Sequence, residues 1–408
     1  MTVLTAMPNY PRGTIFGDYR GKLIATESRD GVRVLRAWIY ARPRHSFMAR
    51  MLSYGSFVLT SFLLALLKAG PQDIIVTESP PLFLGASGLL LSKIKGARHV
   101  LNVSDLWPES AVAMGVVKNR LLIRLAVQLE ELLYRRSDLI TGQTRGIVAD
   151  ILPRSRGVPV ALITNGVDIA EFNTHARKLW RSEMRNEFGL GEQFVIGYFG
   201  LHGLAQGLSS VHRAAKLLQS YRHILFVFFG DGPEKAALIR TAEAAGLQNI
   251  RFYPPEPVQR IPALLAAVDA SVVPLRNLPL FMGALPSKLF TSMAAGVPVL
   301  LAAKGEAADI VLRSRAGVCV EPENAHQIAE AVLHLSRDAQ LCRQFGANGT
   351  RLVRHEYDQR RIVAGFEQLL QGLVALRPAT QLHEEEAEPK GFCPPSPPKL
   401  TPRLPGSQ

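Results

Sequence analysis

The chain alternates apolar, strand-like segments with helix-like segments in two successive series, and this alternation constrains its fold most. Short buried runs such as Phe194–Phe199 and His223–Phe229 are each followed by a longer amphipathic segment. Strands that alternate with helices predict parallel sheets covered by helices on both faces. A tight turn, Asn165-Gly-Val-Asp168, separates the two series. We therefore predict two doubly wound, Rossmann-like α/β domains, which also suits a length of 408 residues.

The predicted boundaries follow changes in composition along the chain. We place the first domain at residues 1–164 and the second at residues 165–355. A final helix at 356–377 is expected to cross back toward the first domain. Residues 378–408 combine acidic residues with many prolines, which predicts a disordered tail.

The segment Leu285–Leu300 points most directly to a ligand. A loop ending at Pro286 leads into a predicted helix at Ser287–Ala295, and a buried strand follows. A helix start beside a strand end is where open α/β sheets bind anions. Lys288 lies in the first turn of this helix. Its positive charge is unfavourable for the helix dipole there but is well placed to bind a phosphate. An ordinary helix–strand connection is the alternative interpretation.

Three other predicted loops are expected at the same sheet edge. They contain Gly200–Gly203, Gly230 and Arg276, and a fourth segment, with Glu306, follows the buried strand Val297–Ala302 that ends the Leu285–Leu300 stretch. Glycines allow close approach of a backbone to a ligand, and strand carboxyl ends meet at one edge. Four loops at one edge favour nucleotide binding, although each glycine cluster alone could be a simple turn. His202 is a candidate only by its position in the first of these loops.

In the first domain, the loop Asp105-Leu-Trp-Pro-Glu109 contains the side chains best suited to a catalytic or binding role. Its two carboxylates and the Trp107 indole follow a predicted strand, on the side expected to face the other domain. Helix capping by Asp105 and packing by Trp107 are the alternative. Glu78 ends the neighbouring strand and could line the same cleft.

Charge and apolar patterning limit the possible partners. The net charge of +13 and pI near 9.9 favour an anionic partner, but the scattered basic residues do not predict a nucleic-acid platform. Three cysteines show no metal-ligand spacing and suggest a reducing, cytoplasmic compartment. The longest apolar run, Phe57–Leu67, is shorter than the ~20 residues that span a bilayer, and predicts a buried helix. Basic neighbours, including Arg44 and Lys68, leave a membrane-surface role open.

Seven motifs, taken in order, resemble family 4 glycosyltransferases of the GT-B fold, in the subgroup that builds O-antigens and exopolysaccharides. They are Thr5-Ala-Met-Pro-Asn-Tyr-Pro11, Asp105-Leu-Trp-Pro-Glu-Ser110, Asn165-Gly-Val-Asp168, Gly203-Leu-Ala-Gln-Gly207, Gly230-Asp-Gly-Pro233, Leu285-Pro-Ser-Lys288 with Met293-Ala-Ala-Gly296, and Gly305-Glu-Ala-Ala-Asp309. The resemblance implies two domains facing across a cleft. It also implies retaining transfer of a sugar from a nucleotide donor, usually UDP-linked, to a lipid-linked saccharide at the inner membrane surface. It implies neither a metal nor another cofactor.

The resemblance also assigns roles to individual positions. Lys288 matches the lysine that stabilises the leaving diphosphate, and Asp105 matches an acidic residue facing the transferred sugar; these are the catalytic candidates. The donor-side candidates are Gly200, His202, Gly203, Gly230, Arg276, Pro286, Ser287, Thr291 and Glu306. The acceptor-side candidates are Glu78, Trp107 and Glu109.

The sequence departs from the family pattern in two ways. The glutamate expected three residues after Lys288, which grips the ribose, is Thr291, and the earlier glutamate of the Glu-x7-Glu pattern is Gly283. About 30 to 40 residues that relatives carry before the first matched strand are also missing, so a first domain without its central strand is expected to expose strand edges. These departures keep a non-catalytic nucleotide-sugar-binding subunit open as an alternative. A nucleotide-sugar 2-epimerase is a third possibility.

Overall fold

The computed structural model describes residues 1–9, 13–42, 47–113, 117–172 and 176–375. The predicted tail at 378–408 lies outside these residues, as do Tyr10, Pro11 and Arg44.

The first domain contains the first predicted series of strands and helices. Its elements are β1 (Thr2–Ala6), β2 (Ile24–Arg29), β3 (Val32–Ala37), α1 (Phe47–Lys68), β4 (Ile74–Ser79), α2 (Leu82–Lys95), β5 (Arg98–Val103), α3 (Glu109–Ala113), α4 (Arg120–Arg136), β6 (Leu139–Gly142), α5 (Arg145–Ile151) and β7 (Val160–Leu162).

These strands form two separate sheets. One has the order β1-β3-β2, and the other is the parallel sheet β4-β5-β6-β7. Strand β2 is antiparallel to β3 and was not predicted. The sequence contains a signal for this hairpin, because Asp30-Gly31 is a residue pair typical of two-residue hairpin turns. In the structure both residues have the positive φ angles that such turns require.

A cavity of about 390 Å³ lies between the two sheets. It is lined by Thr2, Leu4 and Thr5 of β1, by residues 74–78 of β4, and by α1 and α2. Within the described residues, β1 is hydrogen-bonded only to β3, and β4 only to β5. Strands β1 and β4 both line this cavity.

Helix α1 differs from the buried helix that the sequence predicted. Its residues Ser61, Leu64 and Ala65 are buried, whereas Leu59 and Leu63 are exposed. In the described part of the chain, Met51–Lys68 is the one segment long and apolar enough to cross a membrane by length and composition alone, with 22% of it buried. Core helices of soluble proteins can pass the same criterion.

The second domain contains the second predicted series. Its elements are α6 (Arg177–Glu187), β8 (Phe194–Phe199), α7 (Ser209–Leu217), β9 (Ile224–Phe229), α8 (Lys235–Ala244), β10 (Ile250–Tyr253), α9 (Ile261–Ala267), β11 (Ala270–Pro274), α10 (Ser287–Ala294), β12 (Val299–Ala302), α11 (Glu306–Ser314), β13 (Gly317–Val320), α12 (Ala325–Arg337), α13 (Ala339–Glu356) and α14 (Gln359–Ala375). The strands form one parallel sheet in the order β10-β9-β8-β11-β12-β13. The doubly wound fold class is thus confirmed.

Continuous apolar runs form these central strands because helices cover both faces of the sheet. In β8, Val195 and Phe199 pack into the core on one face, while Ile196 and Tyr198 pack into the core on the other. Side chains alternate between the two faces of a strand, so both cores receive every second residue.

Helix α6 was not predicted, because its sequence is strongly polar. Arginine side chains on this helix hold it against the sheet. Arg181 and Arg185 each place a guanidinium nitrogen 2.6 Å from a carboxylate oxygen of Asp269. The same carboxylate accepts a hydrogen bond from the backbone N–H of Val195, at the start of β8.

The two domains are linked at Gly166 and again by the last helices. A Cβ at Gly166 would lie 2.8 Å from the Cα of Gln359, where α14 begins. Val167 pairs with Asp358 in an isolated bridge. The chain thus passes from one domain to the other directly beside the predicted crossover helix.

Candidate functional site

Four loops of the second domain meet at the carboxyl edge of its sheet, as predicted. They follow β8, β9, β11 and β12, which are neighbours in the order β9-β8-β11-β12. They carry the Gly200–Gly203 segment, Gly230, Arg276 and Glu306.

The two glycine loops pack backbone against backbone. A Cβ at Gly230 would lie 1.9 Å from the carbonyl oxygen of Gly200, and one at Gly232 would lie 2.4 Å from that of His202. Two hydrogen bonds fix the pairing, from Gly200 N–H to Phe229 O at 2.9 Å and from His202 N–H to Asp231 O at 2.8 Å. Gly230 and Gly232 are therefore required for contact between the loops, a role that the sequence had not indicated.

Lys288 lies above this pair of loops, in the first turn of α10. A Cβ at Gly200 would be 3.4 Å from its Nζ. The Nζ donates a hydrogen bond of 2.8 Å to Tyr198 Oη and lies 4.2 Å from the centre of that ring. Burial lowers the pKa of Lys288 to about 7. Among the ion pairs of the described residues, none includes Lys288, so its charge is available to an anion.

Pro286 and Ser287 begin α10 without a side-chain cap. Uncapped N–H groups at a helix start favour an anion there. The helix therefore supports Lys288 in the predicted phosphate position.

Thr291 lies one turn further along α10. Its hydroxyl donates to the backbone oxygen of Lys288 at 3.1 Å, which is a local bond within the helix. Its proton is therefore engaged, and the oxygen retains acceptor capacity for a ligand hydroxyl.

His202 is fully buried rather than facing the loop edge. Its ring lies 5.5 Å from that of Tyr198 and 6.1 Å from that of Phe228, between centroids. Neither ring nitrogen has a hydrogen-bond partner among the described residues. Burial lowers the pKa of His202 to about 4, so the ring is neutral at physiological pH.

Arg276 is exposed at the end of β11, and its environment includes a residue that sequence reasoning missed. Its Nε lies 3.8 Å from Glu323 Oε1, while Glu323 Oε2 accepts a hydrogen bond from Asn277 N–H at 2.9 Å. Glu323 has a φ of 63°, in the left-handed region. No motif in the sequence indicated this contact, because Glu323 follows a different strand.

Glu306 reaches the first domain. Its carboxylate oxygens accept hydrogen bonds of 3.0 Å each from the backbone N–H groups of Arg145 and Gly146, at the start of α5. A Cβ at Gly146 would also lie 3.1 Å from the Cα of Gly283. Glu306 was predicted as a donor-side residue, and the structure shows its carboxylate joining the two domains.

The candidate residues of the first domain, catalytic Asp105 and acceptor-side Glu78, Trp107 and Glu109, do not all lie together. Asp105 is partly buried; burial raises its pKa, while hydrogen bonds from Ser110 and Leu106 oppose this shift. Glu109 is exposed and starts α3, which contacts the short 3-10 helix Pro279–Gly283 of the second domain.

Trp107 packs against the core of the first domain, as the alternative interpretation expected. Glu78 lies elsewhere, because it lines the cavity between β1 and β4. Its Oε2 accepts a hydrogen bond of 2.6 Å from Asn102 Nδ2.

Both domains match known protein families. Residues 1–166 match the family model described as "Glycosyl transferase 4-like domain", and residues 181–352 match the one described as "Glycosyl transferases group 1".

Individual relatives agree with these matches. The glycosyl transferase WcaI of Escherichia coli strain K12, named for colanic acid biosynthesis, is 28% identical over 341 residues, covering 81% of this chain and 82% of its own. A mannosyltransferase of Mycolicibacterium smegmatis, named as GDP-mannose-dependent, is 26% identical over 47% of this chain and 51% of its own.

Among solved structures, Anabaena HepE in complex with UDP-glucose has a TM-score of 0.68 at 17% identity, covering 91% of this chain and 100% of its own. At this identity the likeness supports the fold alone, and it extends over both domains.

Proposed function

Because the chain belongs to the group 1, family 4 glycosyltransferases of the GT-B fold, we propose that it transfers a sugar from a UDP-linked donor to a lipid-linked saccharide. The observation that carries the proposal is Lys288, a partly buried ammonium without a carboxylate partner in the described ion pairs. It lies at a helix start and beside two packed glycine loops. This is a site for a diphosphate, because each of these features favours negative charge.

Lys288 would act on the leaving group. The bond between the anomeric carbon and the diphosphate oxygen breaks, and the acceptor oxygen bonds to the same face of the sugar. The acceptor proton passes to the departing diphosphate, so charge and atoms balance. Lys288 stabilises the developing negative charge, and Asp105 faces the transferred sugar from the first domain. We also propose that no metal is needed, since the ammonium supplies the positive charge.

The UDP assignment rests on the UDP-glucose bound by HepE and on the family resemblance. The GDP-mannose named for the mycolicibacterial relative is the competing donor. Titration calorimetry with UDP and GDP, with and without EDTA, separates the two. We expect UDP to bind more tightly and EDTA to have no effect.

The Lys288→Ala variant tests the site itself. We expect UDP affinity to fall at least tenfold, because a charge-assisted contact to a phosphate is lost. Lys178→Ala is the matched control, since Lys178 is exposed on α6 and has no part in the site. Equal affinity for UDP in the two variants would refute the proposed diphosphate site.

The acceptor and the membrane surface form the second part of the proposal. The named role of WcaI in colanic acid synthesis supports a cell-surface polysaccharide, and the exposed leucines of α1 support contact with the cytoplasmic face of the membrane. Purified protein would be incubated with labelled UDP-sugars and membranes carrying lipid-linked saccharides. Label in the lipid fraction is expected, and its absence with every donor would exclude this function.

A non-catalytic nucleotide-sugar-binding subunit remains the second candidate, favoured by Thr291. A hydroxyl cannot make the paired, charge-assisted contact to a ribose that a glutamate makes. Calorimetry and transfer assays on Thr291→Glu distinguish the candidates. UDP affinity about tenfold higher together with restored transfer indicates a weakened enzyme, whereas tighter binding without transfer indicates the subunit.

A further inference from the structure

Tyr198 connects Lys288 to the first glycine loop through a short hydrogen-bonded chain. Lys288 Nζ donates to Tyr198 Oη at 2.8 Å, and Tyr198 Oη donates to the carbonyl oxygen of Leu201 at 2.6 Å. A phenol has one proton to donate, and Leu201 accepts it. The lone pairs of the oxygen are therefore directed to the ammonium.

The same ring also contacts the ammonium through its face. Nζ lies 4.2 Å from the ring centre, within the range of a cation–π interaction. Tyr198 is fully buried between β9 and the loop, and burial raises its pKa well above the usual range. The hydroxyl thus stays neutral, and its orientation is fixed by packing against Phe228 and His202.

We propose that Tyr198 is the positioning residue for Lys288, holding its ammonium charged and directed at the Gly200–Gly203 loop before the donor arrives. The proposal rests on the proposed role of Lys288 at the diphosphate. Nothing in the motifs indicated Tyr198, because a tyrosine in a buried strand is ordinary core.

The two contacts oppose the effect of desolvation on the ammonium. Removing an ammonium from water favours its neutral form, which would not attract a diphosphate. A hydrogen bond and a ring face both favour the charged form. Among the described titratable groups, His202 interacts with Lys288 and is neutral above about pH 5. Glu234, at the start of α8, raises the pKa of Tyr198.

The test is the pH dependence of UDP affinity in Tyr198→Phe. This variant keeps the ring and removes the acceptor oxygen. If the ionisation of Lys288 moves down by about one pH unit, affinity falls about tenfold at pH 8 and less than twofold at pH 5.5. Tyr253→Phe is the matched control, because Tyr253 also donates from a hydroxyl to a backbone oxygen, of Phe188 at 3.1 Å. The control should keep the wild-type pH profile.

Two results with Tyr198→Phe would overturn the proposal. One is an unchanged pH profile in a folded Tyr198→Phe protein, and the other is an equal loss of affinity at every pH, which indicates structural damage only. A Lys288→Arg variant tests the ionisation independently, because arginine stays charged. Because the terminal phosphate of UDP itself titrates at about pH 6, this variant should keep only the part of the pH dependence that the ligand causes. A pH dependence as large as that of the wild-type protein would also overturn the proposal. If wild-type protein binds neither UDP nor GDP, the proposed function itself fails.

Discussion

Replacement of Gly230 by alanine tests whether the contact between the two glycine loops holds the site together. The new Cβ would lie 1.9 Å from Gly200 O and 2.9 Å from Gly200 C, both backbone atoms. Position 230 also has a φ of 142°, a conformation that L-residues rarely adopt. The substitution is thus strained twice, through its own backbone and through its neighbour.

The expected cost can be built from these two contributions. A residue held in a disfavoured backbone region costs about 1–3 kcal/mol. Relief of the clash requires the Gly200 loop to move, which weakens the hydrogen bonds Gly200 N–Phe229 O and His202 N–Asp231 O, each worth about 1 kcal/mol. The sum is about 3–5 kcal/mol. This corresponds to a fall in Tm on the order of 6–20 °C for a domain of this size.

Gly246→Ala is the matched control. Gly246 has a φ of 63°, but a Cβ there would meet nothing within 4 Å. Its expected cost is about 1–2 kcal/mol from backbone strain alone. Differential scanning calorimetry measures stability, and titration calorimetry measures UDP binding. Equal Tm values for the two variants, or unchanged UDP affinity in Gly230→Ala, would refute the proposed role of the loop contact.

Two further predictions concern a buried histidine and the domain contact. His99 is fully buried between Thr77 and Ser137, and desolvation lowers its pKa to about 4. The unfolded chain binds a proton below about pH 6.5 while the folded protein does not, so stability should fall between pH 6.5 and 4 by up to about 3 kcal/mol. His99→Gln should reduce this slope in urea unfolding, and an unchanged slope would contradict the prediction. Glu306→Ala removes the acceptor for two N–H groups of α5, so transfer should fall while UDP affinity stays within about twofold, and small-angle scattering should show a more open molecule. Asp309→Asn, on the exposed face of the same helix, is the control, and loss of UDP affinity equal to the loss of transfer would argue against a role in domain contact.

The elements at the sheet edge were predictable because local patterns determine them. Apolar runs predicted β8, β9, β11 and β12, and parallel strands place their carboxyl ends at one edge. The position of Lys288 followed from the helix start after Pro286. In each case the signal lies within a few residues of the feature, so a single sequence contains it.

The partners of these residues were not predictable, because they come from distant parts of the chain. Glu306 meets backbone N–H groups that are 160 residues or more away in sequence. Backbone donors have no residue type that a motif could reveal. The adjacent glutamates Glu130 and Glu131 of α4 show the same limit, because their sequence does not indicate which of the two is buried. Glu130 is buried and bonded to Tyr134 and Arg154, whereas Glu131 pairs with Arg135 at the surface.

The two missing glutamates have different physical meanings in the fold. Among the described hydrogen bonds, the hydroxyl of Thr291 bonds only within α10, so a carboxylate there would add a ligand contact without displacing a partner from another element. Gly283 lies at the domain contact, where a Cβ would already be 3.5 Å from the Cα of Gly146. A glutamate at 283 would have to extend from a surface where two glycine backbones touch. We therefore expect the absence of the first glutamate to weaken donor binding, whereas the absence of the second accompanies the close approach of the domains at Gly283 and Gly146.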